Sequence, residues 1–291
     1  MKKFILVFLF TLLVLPSLAF ASGHGHKREM KKGILLVAFG SSIPEAQVSF
    51  ENIDTRVKKE FPDIPVFWAY TSSIIRNKLA KQGKTLDSEA MALAKMTDQG
   101  FTHVAVQSLH TIRGEEFDDL VQTLKAFEGL PGGMEKIVTG APLLSSQKDM
   151  EDVTTAILKN LPAGRKKGET VVLMGHGTPH PSNVFYTALM YHLQKKDPLV
   201  FMGTVEGSPT IDDLIPMLQE KKSKKVWLMP FMSVAGDHAR NDLAGNEPDS
   251  WKSILEKQGF RTEAVLKGTA EYDNMLDIWM DHLKEAMAHF K

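Results

Sequence analysis

Short apolar runs alternate with stretches of helical spacing along almost all of this chain. The runs are Gly33–Phe39, Pro65–Tyr70, His103–Leu109, Lys136–Thr139, Thr170–Met174, Leu199–Thr204, Lys225–Pro230 and Thr262–Val265. Between them, apolar residues recur three and four apart over Pro44–Glu60, Ser88–Gln99, Glu116–Phe127, Gln147–Leu161, Val184–Lys195, Ile211–Glu220 and Tyr272–Phe290. Strands linked by crossover helices run parallel, and helices then cover both faces of the sheet. The class is therefore α/β. Gly and Pro punctuate the loops, as in "GLPGGM" and "LPAGRKKG". The second of these divides the chain into a lobe over 33–165 and a lobe over 166–291.

The two lobes carry related patterns. "ILLVAFGSSIPEA" lies on "VVLMGHGTPHPSN" with Gly40 on Gly177, Ser41 on Thr178 and Pro44 on Pro181. "VAVQSLHTIRGEEF" lies on "VWLMPFMSVAGDHA", which puts Gly114 on Gly236, and Glu116 on His238. The same overlay sets Phe39 against His176. A duplication of this kind predicts two similar α/β lobes with a cleft between them.

Ligands of open α/β sheets bind beyond the carboxyl ends of the strands. Glu116, His176 and His238 all fall there, each beside a glycine that lets the backbone turn sharply. Two imidazoles and a carboxylate suit a divalent Co, Fe, Ni or Zn ion, and three protein ligands leave coordination positions open. His110 and His180 stand close to this set in sequence. His192, His282 and His289 fall in helical stretches and read as packing or surface residues, and Met229 and Met232 as core.

Composition narrows the class. An apolar fraction of 43% supports a core, and 35 basic residues balance 35 acidic ones, which argues against nucleic acid bound through overall charge. There is no cysteine, so neither a disulfide nor a thiolate site exists. A Gly-x-Ser-x-Gly elbow, a complete Gly-x-x-x-x-Gly-Lys-Ser/Thr phosphate-binding loop and a dinucleotide fingerprint are all missing, which leaves metal chemistry without a nucleotide. Residues 1–21, "MKKFILVFLFTLLVLPSLAFA", have two lysines, an apolar core and a small-x-small end, the layout of a secretory signal peptide. No later segment has a spanning length of apolar residues. A periplasmic protein with a flexible tail over 22–32 and no stable membrane span is expected. Its new N-terminus, Ser22-Gly23-His24, offers an amine, amide nitrogens and an imidazole to Cu(II) or Ni(II).

The ordered set "LLVAFGSS", "AVQSLHTIRGEEF", "GAPLLSS", "VLMGHGTPH" and "LMPFMSVAGDHARNDLAG" resembles the class II chelatases, and most closely their anaerobic cobalt chelatases of the CbiK type. The match runs from Lys32 to about Phe290. It implies two flavodoxin-like lobes with a tetrapyrrole, sirohydrochlorin, in the cleft, and insertion of Co(II) without ATP in cobalamin synthesis. Fe(II) is the other metal the same residues allow. The resemblance implies that His176 and His238 are metal ligands and bases, with Glu116 as their acidic partner. Cations at the rim would hold the substrate's carboxylates, for which Arg113 and Arg240 are candidates. Ser41 and Ser42, at a helix start, add N–H donors, and His110 and His180 are candidates to support the ligands or to face the substrate. The export signal departs from a family whose synthesis is cytoplasmic. A periplasmic carrier for a metal or a tetrapyrrole such as haem is thus the alternative, separated from an enzyme by turnover. His103, at a strand start, reads as solvated, or else as a haem or surface metal ligand shared within a homo-oligomer.

Overall fold

The computed structural model describes residues 28–290; the signal-peptide stretch 1–21 and the Ser22-Gly23-His24 tail lie outside them. Eight strands form two sheets among the described residues. The first sheet holds β1 (Lys32–Ala38), β2 (Val66–Tyr70), β3 (His103–Ser108) and β4 (Lys136–Gly140) in the order β2-β1-β3-β4. The second holds β5 (Thr170–Gly175), β6 (Val200–Thr204), β7 (Lys225–Pro230) and β8 (Arg261–Ala264) in the order β6-β5-β7-β8. All pairings are parallel. Each lobe thus repeats one strand order, with its first strand flanked by its second and third, the start of a flavodoxin-like winding. Gly40 and Gly177, equivalent in the internal overlay, both take positive φ, +101° and +83°. The duplication is visible in backbone as well as in sequence.

The alternating residues of each central strand sort into different cores, because successive strand side chains point to opposite faces. Leu35 and Val37 join the buried faces of α3 (Glu89–Asp98) and α4 (Glu115–Phe127). Val172 and Met174 do the same under α7 (Ile211–Glu220) and α8 (Trp251–Lys257). The other face of both sheets, Ile34 and Leu36 from β1, Val171 and Leu173 from β5, enters one continuous core. That core also takes in α1 (Gln47–Glu60), α5 (Gln147–Lys159), α6 (Val184–Gln194) and α9 (Asp273–Ala288). Near-continuous apolar strands such as "GILLVA" follow from this, since both faces are covered.

Two helices lie where no helical stretch was expected, α2 (Ser73–Ala80) and α8. Both are short and begin on a serine cap: Ser72 Oγ accepts from Ile75 N, and Ser250 Oγ from Ser253 N. The closing helix also departs from the 166–291 lobe. It packs on β3 and β4 of the first sheet, so the last stretch of the chain returns to cover the first lobe.

Candidate active site

A cleft of about 590 Å³ opens between the lobes at the carboxyl ends of the strands. His176 enters it directly after β5. Both of its glycine neighbours are required by packing. A Cβ on Gly175 would stand 2.5 Å from the Tyr186 ring, and one on Gly177 would stand 2.6 Å from Gly207 N. The imidazole Nδ1 donates to Gly177 O at 2.9 Å, which leaves Nε2 with a free lone pair. Burial pushes the Tyr186 phenol up to about 12, outweighing a hydrogen bond from the Gly177 backbone. Tyr186 therefore remains a neutral wall of the cleft at any physiological pH.

His238 follows β7 and opens a five-residue π-helical turn, Ala239–Leu243. The turn brings Asp242 beneath it, and His238 Nδ1 donates to that carboxylate. Metal-ligating histidines are held in this way, the second nitrogen fixed by an oxygen so that the first points at the ion. The His176 and His238 rings stand 4.7 Å apart and nearly perpendicular, at 86°.

Glu206 completes the group. Its backbone N–H donates to His176 O at 2.7 Å, and its carboxylate lies 3.9 Å from His176 Nδ1. One ligand atom from each of His176, Glu206 and His238 lies within 4.8 Å of the others, and no other such group occurs among the described residues. An N/N/O set with open positions facing a cleft suits a divalent ion in transit.

Glu116 lines the same cleft but stands outside this group. It sits in the first turn of α4, its Oε2 3.2 Å from His110 Nε2 without a hydrogen-bonding alignment. His110 Nδ1 in turn meets Ser108 Oγ at 2.8 Å. The carboxylate beside the two histidines is therefore Glu206. Its loop, "TVEGSP", follows a strand and carries a glycine, as the His176 loop does, but that pattern alone does not single out the carboxylate. The comparison between lobes pointed instead to the carboxylate across the cleft.

The expected rim residues scatter. Arg113 is engaged with Asp118 at 2.9 Å, Arg240 stands 3.9 Å from Glu45, and neither lines the cleft. The cation that does line it is Lys78, on α2. His180 also stays off the lining: its Nδ1 caps the turn at Ser182, and its Nε2 lies 3.6 Å from Asp118 of the other lobe. Ser41 and Ser42 do line the cleft, with Ser41 Oγ accepting from Ile43 N. His103 opens β3 at the opposite end of the sheet from the cleft, against Thr102 Oγ1 and edge-on to Phe290.

Two parallel α/β lobes with an open N/N/O centre at their shared strand ends define a metal-handling protein of the chelatase type. The cobalt chelatase (CbiK) family model matches residues 32–288, and the chain belongs to that family. It is 49% identical to the sirohydrochlorin cobaltochelatase CbiKC of Nitratidesulfovibrio vulgaris, over 90% of this chain and 93% of that one. It is 34% identical to the sirohydrochlorin cobaltochelatase of Salmonella typhimurium, over 89% and 97% of the two chains. Among solved structures, SirB from Bacillus subtilis with Fe3+ superposes with a TM-score of 0.58 at 17% identity, over 88% of this chain and 96% of that one. CbiX, described as the terminal enzyme of siroheme biosynthesis in denitrifying bacteria, gives 0.51 at 18%, over 87% and 99%. At these identities the two structures speak for the fold.

Proposed function

We infer that this protein inserts Co(II) into sirohydrochlorin without a nucleotide. The observation that carries the reading is the His176–Glu206–His238 group, in the cleft of a chain from the cobalt chelatase family. The ion is substrate, held by the Nε2 atoms of the two histidines and by the Glu206 carboxylate. The macrocycle nitrogens take its remaining positions, and the protein ligands are released in turn.

Two pyrrole N–H protons must leave as the metal enters. While the two histidines hold the ion their lone pairs are occupied, so the protons need another acceptor. Glu116, across the cleft and beside His110, offers a carboxylate and an imidazole for that step. The N/N/O set also accepts Fe(II). The apolar core and terminal small-x-small pattern of residues 1–21 support a periplasmic setting for the reaction; sequencing of protein from the periplasmic fraction is expected to begin at Ser22.

The test is an anaerobic assay with sirohydrochlorin and Co(II), Fe(II) run in parallel, and no ATP. The free macrocycle's absorption is expected to give way to that of the cobalt complex, well above the rate without protein. A rate equal to the protein-free control removes the function.

A further inference from the structure

The cleft has two unlike walls. The second lobe brings the metal-ligating group, whereas at the equivalent strand end of the first lobe Phe39 stands where His176 stands in the second. Phe39 is 46% exposed and Ile74, on α2, is 76% exposed, and both line the cleft. Large apolar side chains left this open to water signal a surface that something apolar covers. Ile75 lines the cleft beside them, and so does Lys78. Residues four apart on a helix share a face, so α2 turns Ile74 and Lys78 to the cleft together, an apolar group and a cation one turn apart.

That pairing matches one chemistry. A tetrapyrrole is flat and apolar on its faces and carries carboxylates around its edge. We propose that Phe39 and α2 form the shelf that seats the macrocycle: Phe39 and Ile74 lie against its face, and Lys78 takes a carboxylate on its rim. The shelf rests on the reading of the protein as a tetrapyrrole chelatase and adds the residues that orient its substrate. With one face on this shelf, the other face turns toward His176, Glu206 and His238. The cation role expected of Arg113 and Arg240, both engaged with carboxylates, passes to Lys78.

The experiment compares the full chain with Phe39→Ala, Ile74→Ser and Lys78→Ala. All three side chains line an open cleft, and circular dichroism and thermal melts confirm that each variant is folded. Two quantities are read for each: the KM for sirohydrochlorin with Co(II) saturating, and Co(II) affinity without tetrapyrrole. The shelf predicts a KM raised about tenfold or more in Phe39→Ala and Ile74→Ser, at unchanged Co(II) affinity. It predicts a KM raised in Lys78→Ala with a shallower dependence on salt, because an ion pair has gone. Wild-type KM in Ile74→Ser and Lys78→Ala overturns the shelf while leaving the chelatase reading intact. Wild-type protein that neither binds nor metallates sirohydrochlorin overturns both.

Discussion

At Gly177 the backbone holds φ at +83°, and a methyl group there would meet Gly207 N at 2.6 Å and Thr204 Cβ at 2.7 Å. Gly177→Ala is therefore expected to cost about 1–3 kcal/mol of stability and to weaken Co(II) binding, because the strain falls on the turn that aims His176. Urea melts and a Co(II) titration of the same protein check both. The two histidines of the group make the opposite prediction. His176→Ala and His238→Ala remove half-exposed side chains, so the fold stays intact while metal insertion falls to background. Glu206→Gln is expected to weaken Co(II) binding far more than Glu116→Gln, which instead slows turnover at saturating metal; equal losses of affinity would return Glu116 to the ligand group. His176 and His238 were legible because each interrupts an apolar run with a glycine turn. Glu206 was not, because a carboxylate in a loop is common and only the close approach of three chain segments marks this one. Asp242 was hidden for a related reason: its place beneath His238 depends on a π-helical turn that sequence spacing does not announce.

Among the elements, α9 was legible as a helix but not as the cover of the first sheet. Its apolar face, Met275, Leu276, Ile278, Trp279 and Leu283, enters the shared core, and a buried pair ties it to α5. His282 Nε2 meets Asp149 Oδ1 at 3.0 Å, with the two side chains 8% and 6% exposed, while His282 Nδ1 reaches Ala141 O at 3.1 Å. Burial alone would raise the Asp149 carboxyl, but hydrogen bonds from His282, Ser145 and Ser146 outweigh it and hold the group well below the usual carboxylate range. A depressed folded value means the unfolded chain binds the proton more tightly. The pair's contribution is thus full above the unfolded value near ~3.9 and is lost as pH falls through the lower folded one. Asp149→Asn is expected to lose about 3 kcal/mol at pH 7 and to show a flatter fall in stability from about pH 4 downward than wild type. Denaturant melts at several pH values read both; a wild-type acid limb in the variant would place the acid sensitivity elsewhere. The helices that sequence spacing did not reveal, α2 and α8, have eight and seven residues. Helices so short have little stability of their own and form on contact with their sheets, so their periodicity is too brief to read.

For the whole molecule, the parallel two-lobed architecture could be read from alternation and internal similarity because each lobe repeats one winding. How the lobes join could not, since the shared core is assembled from residues far apart in the chain. Ile34, Leu36, Val171 and Leu173 belong to the same core, and α9 returns across the boundary to the first sheet. One continuous core predicts a single cooperative thermal transition, and it predicts that a fragment of residues 28–165, deprived of α9, does not fold cooperatively. Calorimetry of the full chain and far-UV melting of the fragment test this; two resolved transitions would show lobes that fold independently. The joined core holds the cleft walls in one geometry, ligand group facing apolar shelf, as repeated metal transfer requires. The most direct measurement is therefore a turnover count: full-length protein at low concentration, with sirohydrochlorin and Co(II) each in large excess under anaerobic conditions and without ATP. The expected result is many equivalents of released cobalt complex per protein, abolished in His176→Ala. One equivalent that stays bound to the protein would contradict the account and mark a carrier instead of an enzyme.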